Sequence, residues 1–224
     1  MDQIVENYFN LAVMAEALPS VFAGFLVTIQ VALCVIVIGI GVGLALALLR
    51  SLENPVLDPM ITIYIEVFRT LPQLVIMIFV YFALPYAGIR LSPFFAVAIA
   101  LGAVLSAFAA EIFWAAINAL PKGQWEASSA LSMSHWQCLK WIILPQAVRL
   151  ATPLITNRAI AITKGTALGV AVSLQETLGS AQSIMAIKAN PSPLTLAAGF
   201  YLLFFIPLVA ASRKIEKRMA QTTS

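Results

Sequence analysis

Two ionisable side chains interrupt apolar stretches of this chain and are its first candidates for chemistry. Glu111 stands alone in one apolar segment, and Lys164 lies in another that also carries Arg158. A charge inside such a segment is costly, so it usually faces protein or water and marks a substrate, ion or proton pathway. These residues could therefore bind a charged solute or relay an ion or proton along such a pathway.

The sequence contains no pattern typical of an enzyme centre. The fragments at 121–124 and 163–166 lack the glycine spacing of a phosphate-binding loop. The single histidine, His135, has no partner ligands at metal spacing, and two distant cysteines, Cys34 and Cys138, form no metal framework. We expect no catalytic residue, and no cofactor bound by this chain.

The composition is that of an integral membrane protein. Of the 224 residues, 61% are hydrophobic and 10% are charged, and the mean hydropathy is +0.95. Soluble domains carry roughly 25% charged residues. We predict an all-α chain with about five transmembrane helices, forming one transmembrane domain over residues 1–224. The expected spans are about 20–49, 61–86, 94–119, 150–172 and 194–212.

Charge placement predicts the orientation of these spans. The first 16 residues carry three carboxylates and no lysine or arginine, whereas the tail at 213–218 is strongly basic. Basic residues concentrate on the cytoplasmic side of a membrane. We therefore expect a periplasmic N-terminus and a cytoplasmic C-terminus.

A polar segment separates the third and fourth spans. Its apolar residues Ala127, Ala130 and Leu131 recur at helical spacing, which predicts an amphipathic helix over about 123–138. Such a helix is suited to docking into a groove of a partner. Glu126 either stabilises the helix N-terminus or anchors a basic residue of that partner.

This segment resembles the EAA coupling motif of ATP-binding-cassette (ABC) importer permeases. Gly-Gln-x-Glu-Ala at 123–127, followed by Leu-Pro-Gln-Ala at 144–147, is similar to the version found in permeases for polar amino acids. The resemblance implies the type I importer (MetI-like) permease fold. It also implies an ATPase-coupling surface that comprises Gly123, Glu126, Ala127, Ala130 and Leu131, with a turn at Ser132 and a hinge at Leu144 and Pro145.

The mechanical part of that hinge follows from the residue type. Proline lacks an N–H and disfavours helix at the preceding residue. We therefore expect Pro145 to separate the coupling segment from the fourth span.

Two further stretches resemble gate segments of the same family. The run 68–75, Phe-Arg-Thr-Leu-Pro-Gln-Leu-Val, is similar to the family's Phe-Arg-Gly-Thr-Pro-x-Leu-Val, which makes Arg69 and Pro72 gate candidates. Arg69 could instead pair with Glu66, three residues earlier. In the third span the family's arginine after Glu111 is missing, so we expect Glu111 to meet Lys122, Arg149 or a neighbouring subunit.

The fourth span is the best candidate for a translocation path. Its runs at 153–157 and 164–168 resemble the family's Pro-x-x-x-Asn and Lys-Asp-Thr-Ser-Leu motifs, with Gly165 in place of the aspartate. Lys164 either attracts a substrate carboxylate or pairs with Glu176 or Glu111. The residues expected to line a watery cavity are Asn157, Arg158, Thr163, Lys164 and Thr166.

The resemblance also implies an assembly in the bacterial inner membrane. It comprises a second permease subunit, identical or paralogous, two cytoplasmic ATPase subunits that bind ATP and Mg²⁺, and a periplasmic solute-binding protein. The substrate would be a polar amino acid or a relative such as an opine, and no nucleic acid is involved. Two alternatives remain: a gradient-driven transporter that uses Glu111 and Lys164 as relay groups, and a membrane scaffold that transports nothing.

Overall fold

The computed structural model describes residues 2–52 and 54–222, and every regular element in that part of the chain is helical. Four helices are long and apolar enough to cross a membrane, or five if one bent pair counts as a span. The expectation of an all-α chain with about five spans is thereby confirmed. The helices are α1 (Asp2–Tyr8), α2 (Leu11–Arg50), α3 (Leu57–Thr70), α4 (Gln73–Ile78), α5 (Pro93–Asn118), α6 (Lys122–Ala130), α7 (His135–Cys138), α8 (Leu144–Thr163), α9 (Thr177–Lys188) and α10 (Ser192–Thr222).

The centre of the fold is the contact between α2 and α5. Asn10 caps α2 by accepting hydrogen bonds from two backbone N–H groups. Two glycines of α2 allow close approach of the two helices: a Cβ on Gly39 would lie 2.5 Å from Leu105, and one on Gly43 would lie 2.5 Å from Ala109. Small residues commonly permit such packing between membrane helices.

The second predicted span, 61–86, is not one straight helix. Helix α3 ends at Thr70, and the helical stretch Gln73–Ala87 leaves it at an angle of 107°. Leu71 and Pro72 between them are extended, because proline disfavours helix at the residue before it. The predicted span therefore corresponds to a bent pair of helices, and Pro72 marks the break.

The polar segment 123–138 is also not one helix. Helix α6 ends at Ala130, and Ser132 adopts a left-handed conformation with φ of 59°. Ser134 then begins α7 with a capping box, in which Ser134 and Gln137 satisfy each other's backbone N–H groups. The predicted turn after Leu131 is present, and it divides the segment into two short helices.

The expected hinge at Leu144 and Pro145 is absent. A continuous helical stretch runs from His135 to Val172, including a π-helical turn at Leu139–Ile143 and a 3₁₀ stretch at Lys164–Val172. A π-helical turn alters the local hydrogen-bond ladder, and Pro145 falls within the first two positions of α8, where its missing N–H is tolerated. The second part of the polar segment, α7, and the fourth span therefore form one rod, while α6 lies before the turn at Ser132 and outside it.

The segment between the fourth and fifth spans folds back onto the bundle. Helix α9 packs against α2 and α10, and a Cβ on Gly24 would lie 2.5 Å from Ser180 and 2.6 Å from the carbonyl oxygen of Glu176. Asn10 and Ser192 connect the beginning of α2 to the beginning of α10 through a 3.0 Å hydrogen bond.

Candidate functional site

Helix α6 presents its predicted coupling residues to the outside. Glu126, Ala127 and Ala130 are exposed, and Leu131 at the helix end is 75% exposed. An exposed helix outside the candidate spans, with apolar residues beside a carboxylate, has the composition of a helix that docks into a partner's groove. Gly123 and Ser132 are exposed as well.

Glu126 lies in the wall of a groove of about 670 Å³ between α6 and the end of α2. One side of this groove is fixed by Arg50, which forms a 2.8 Å ion pair with Asp58 and lies 3.9 Å from the ring centroid of Trp114. Because Arg50 is occupied by these partners, Glu126 is not neutralised by it. Lys122 lines the same groove, and Glu126 forms no ion pair with either cation among the described residues.

The turn after α6 is held by ring stacking. Trp125 stacks on His135, with ring centroids 4.9 Å apart. Ser128 is the one buried residue of α6. Its carbonyl oxygen accepts hydrogen bonds from the backbone N–H groups of Leu131 and Met133. These contacts connect α6 to the rod that begins at His135.

Arg69 and Glu111 form an ion pair that the sequence did not reveal. The Nη1 atom of Arg69 lies 3.2 Å from Oε2 of Glu111 and 3.9 Å from Oε1 of Glu66. The expected partners of Glu111, Lys122 and Arg149, are therefore not its partners within this chain. The pair joins α3 to α5 beside the break at Pro72, where the gate was predicted.

Arg158 and Lys164 lie on the exposed side of α8 and of the turn that follows it. The guanidinium carbon of Arg158 is 4.2 Å from the ring centroid of Phe108, and the Nζ atom of Lys164 is 5.6 Å from that of Phe205. Neither cation forms an ion pair in the described part of the chain, so the alternative in which Lys164 pairs with Glu176 or Glu111 is not observed.

The remaining path candidates are placed differently. Asn157 donates to Glu216 and accepts a 2.8 Å hydrogen bond from Ser212, so it fastens α8 to α10. Thr163 and Thr166 are buried and do not line an open cavity, contrary to the expectation. The hydroxyl of Thr166 has no hydrogen-bond partner among the described residues.

The missing side chain at Gly165 explains part of the burial of Thr163 and Thr166. A side chain at this position would meet Oε1 of Gln73 at 2.3 Å. Glycine therefore lets the beginning of α4 pack directly on the 3₁₀ stretch.

The sequence interpretation considered Glu176 only as a possible partner of Lys164 and missed that it is fully buried. Its carboxylate accepts hydrogen bonds from the N–H groups of Leu178 and Gly179, at 2.7 and 2.9 Å, and from the hydroxyls of Thr28 and Tyr201, at 3.1 and 2.6 Å. Burial raises the pKa of Glu176 above its ordinary value of 4.5, while these hydrogen bonds oppose the rise. The available signal was a carboxylate directly before a helix, which is an N-cap pattern.

Comparisons with known proteins agree with this architecture. Residues 36–221 match the family described as binding-protein-dependent transport system inner membrane component. The probable glutamine ABC transporter permease protein GlnP of Bacillus subtilis (strain 168) is 36% identical over 91% of this chain and 95% of its own length. The glutamate/aspartate import permease protein GltK of Escherichia coli O157:H7 is 29% identical over 91% of this chain and 94% of its own length.

Solved structures show the same fold. A crystal structure of an amino acid ABC transporter with histidines superposes with a TM-score of 0.84 at 27% identity, covering 93% of this chain and 98% of the other. An inward-facing MetNI methionine ABC transporter gives 0.68 at 20% identity, covering 94% and 99%. This second likeness concerns the fold alone.

These features together define a multi-pass membrane transport subunit. They are a bundle of apolar helices, a short exposed helix outside the spans, and cations on an open face. The chain belongs to the family of inner membrane components of binding-protein-dependent transport systems. It is a permease subunit of an ABC importer with the type I fold. As a permease subunit it is a pore-forming component of the inner membrane and not an enzyme.

Proposed function

We propose that this chain forms half of the membrane pathway through which an ABC importer takes up polar amino acids or close relatives such as opines. Two copies, or this chain and a paralogue, would enclose the path between their exposed α8 faces. The charged groups on that face support this arrangement, because Arg158 and Lys164 in a membrane helix need water or a protein partner. Relatives named for glutamine and for glutamate/aspartate support the substrate class.

The observation that carries the proposal is the exposed helix α6 with Glu126 in an open groove. A cytoplasmic ATPase would insert a basic residue toward Glu126 and cover Leu131. Closure of two ATPase subunits around ATP and Mg²⁺ would move α6, and the rod that begins at His135 would open the gate outward. Hydrolysis would reset the cycle.

The family and the charge placement support the remaining partners and the orientation of the chain. A periplasmic solute-binding protein would deliver the amino acid and set most of the selectivity. The acidic N-terminus would lie in the periplasm and the basic end of α10 in the cytoplasm. Arg69 and Glu111, beside the break at Pro72, would form part of the gate.

The test is co-purification of the partner ATPase with tagged Glu126→Lys from its native host, together with uptake of a radiolabelled amino-acid panel. Charge reversal should leave membrane insertion intact and abolish both ATPase association and uptake. Glu6→Lys is the matched control, because Glu6 is exposed near the opposite end of α2. A well-inserted Glu126→Lys protein with normal uptake would refute the coupling role.

Energy source separates the proposal from a gradient-driven transporter. Uptake by an ABC importer should persist when an uncoupler collapses the ion gradient and ATP is maintained, and should stop when ATP is depleted. The reverse pattern would support relay roles for Glu111 and Lys164. A deletion without an uptake defect would support a scaffold.

A further inference from the structure

One face of α10 carries an apolar stripe that continues directly into a cluster of cations. A groove of about 520 Å³, the α10 groove, runs along this face. Its apolar lining consists of Leu202, Phe205, Ile206, Val209 and Ala210. These positions recur at intervals of three and four residues, so they share one side of the helix. Leu202 and Ile206 are 59% and 61% exposed, so the stripe is an apolar surface that no other helix of this chain covers.

The cations at the end of the α10 groove continue the same spacing. Arg213, Lys214 and Lys217 line it, and all three side chains are exposed. None of them forms an ion pair in the described part of the chain. Glu216, the carboxylate nearest to them in the sequence, accepts a hydrogen bond from Asn157 on α8 and does not line the groove. This end of the groove therefore holds three cations and no described carboxylate.

Charge placement across the membrane explains only part of this arrangement. Basic residues anywhere in a cytoplasmic tail satisfy the positive-inside rule. Here three of the four basic residues at 213–218 line one groove and lie on the same helix face as the apolar stripe. Like-signed charges along a cleft attract an oppositely charged group. A ligand that matches the groove has an apolar chain and an anionic head.

The length of the α10 groove matches one leaflet of a bilayer. Leu202 and Arg213 are 11 residues apart in α10, about 17 Å along the helix axis, and the hydrocarbon of one leaflet is roughly 15 Å thick. Lys164 borders the groove near Phe205, with its Nζ atom 5.6 Å from the ring centroid. Its methylene stem can line an apolar path while the ammonium group stays at the ring.

A second copy of the chain is a poorer occupant of this face. In a two-fold symmetric pair the same patch meets itself, so the three cations of one copy would face the three cations of the other. Like charges placed against each other cost free energy at an interface. An anionic amphiphile instead balances the cations and covers the apolar stripe.

We propose that the α10 groove binds an anionic phospholipid of the surrounding bilayer, with its phosphate among Arg213, Lys214 and Lys217 and one acyl chain along the stripe toward Leu202. Basic pockets on the cytoplasmic side of membrane proteins bind such headgroups. The proposal concerns a lipid and does not rest on which solute is imported. Uptake is not its readout, so the import function is tested separately.

The test measures lipid binding to the purified permease–ATPase complex by native mass spectrometry. The complex is titrated with phosphatidylglycerol or with phosphatidylcholine of the same acyl chains. Phosphatidylglycerol should occupy one site per copy of this chain, about tenfold more tightly or better, because each nearby cation contributes about fivefold. Glycerol 3-phosphate should not displace it, since it lacks an acyl chain. Equal binding of the two lipids, or displacement by glycerol 3-phosphate, would overturn the proposal.

Double variants assign the binding to the cations of the α10 groove. Lys214→Gln/Lys217→Gln should weaken phosphatidylglycerol binding about 25-fold, whereas Lys214→Arg/Lys217→Arg should retain it. The matched control is Lys140→Gln/Arg149→Gln, which removes two exposed cations near the beginning of the fourth span, on the same side of the membrane in the proposed orientation. This control should bind as wild type does. Equal binding by the two glutamine double variants would overturn the proposal.

A further variant separates the groove from diffuse attraction to the basic tail. Ala210 is exposed in the groove directly before the cations, so Ala210→Trp would block the acyl chain and keep all three charges. Phosphatidylglycerol binding should fall about tenfold or more, since that corresponds to losing about two buried CH₂ groups. Unchanged binding by a folded Ala210→Trp complex would overturn the proposal. So would a disulfide between two copies of Val209→Cys in the complex, which would assign this face to a second subunit.

Discussion

Tyr201 on α10 donates a 2.6 Å hydrogen bond to the carboxylate of Glu176, which is fully buried just before α9. Thr28 on α2 donates to the same carboxylate from 148 residues away along the chain. One side chain thus connects three helices at a single point. Leaving a buried carboxylate without its partners would cost free energy, because burial has removed the water that could replace them.

We expect Glu176 to make stability depend on pH. Its pKa is raised in the folded state by burial, so the folded protein holds the proton more tightly than the unfolded chain. Its contribution to stability is fully present below the unfolded pKa of about 4.5 and is lost as pH rises through the folded pKa. The measurement is the melting temperature in detergent as a function of pH, from below the unfolded pKa of Glu176 upward, for wild type and Glu176→Gln.

Glu176→Gln should flatten that dependence, because the amide does not titrate. The difference between the two proteins removes the contributions of the other carboxylates. Parallel pH profiles for wild type and Glu176→Gln would contradict the prediction.

The pairing of Arg69 predicts unequal effects of its two carboxylate neighbours. Glu111→Gln should destabilise the protein more than Glu66→Gln, because Glu111 is closer to the guanidinium and Glu66 is more exposed. The Arg69 and Glu111 side chains are 34% and 38% exposed, so we expect a loss of about 1 kcal/mol or less for Glu111→Gln. The free energy of unfolding is measured for both single variants and for each combined with Arg69→Gln, which gives the coupling energy of Arg69 to each carboxylate. A larger coupling energy to Glu66 than to Glu111 would contradict the prediction.

The close contact of α2 and α5 predicts a position-specific effect of one methyl group. Gly43→Ala would place its Cβ 2.5 Å from the Cβ of Ala109 and 2.8 Å from the carbonyl oxygen of Ser106. The helices must separate, at a cost of about 1–3 kcal/mol. Gly41→Ala is the control two residues away, where nothing lies within 4 Å. Equal melting temperatures for both variants would show that the two helices are not packed this tightly.

The left-handed Ser132 predicts a preference for glycine between α6 and α7. A non-glycine residue with φ of 59° pays about 1 kcal/mol, so Ser132→Gly should preserve uptake and ATPase binding and raise stability slightly. Ser132→Val should disturb the turn, because a β-branched residue is poorly tolerated there. Co-purification of the ATPase and initial uptake rates provide the comparison; an active valine variant and an inactive glycine variant would contradict it.

Much of the membrane architecture could be predicted from local properties of the sequence. Hydropathy alone indicates α2, α5 and the apolar part of α10, and the run Gly-Gln-x-Glu-Ala at 123–127 predicts the coupling segment. The break after Thr70 was also signalled locally, since Pro72 disfavours helix at Leu71. It was missed because the apolar residues on both sides resemble one uninterrupted span.

Other features depend on how the helices meet, which hydropathy does not encode. Arg69 and Glu111 are 42 positions apart and pair only because α3 and α5 present these side chains to each other. Glu176 lies between the predicted fourth and fifth spans, outside every predicted span. It is buried because α9 folds back onto α2 at Gly24, a contact that only the packed structure reveals.

The unbroken helical stretch from His135 to Val172 makes α7 and the fourth span one rigid body, to which α6 is joined through the turn at Ser132. Its 38 residues correspond to about 57 Å of helix, so pivoting about one end by roughly 5° displaces the other by about 5 Å. A flexible joint within the helix would absorb part of this displacement, whereas a stiff helix transmits all of it to the far end. Insertion of a flexible Gly-Gly pair after Ile143 should therefore uncouple ATP turnover from uptake while leaving both partners bound.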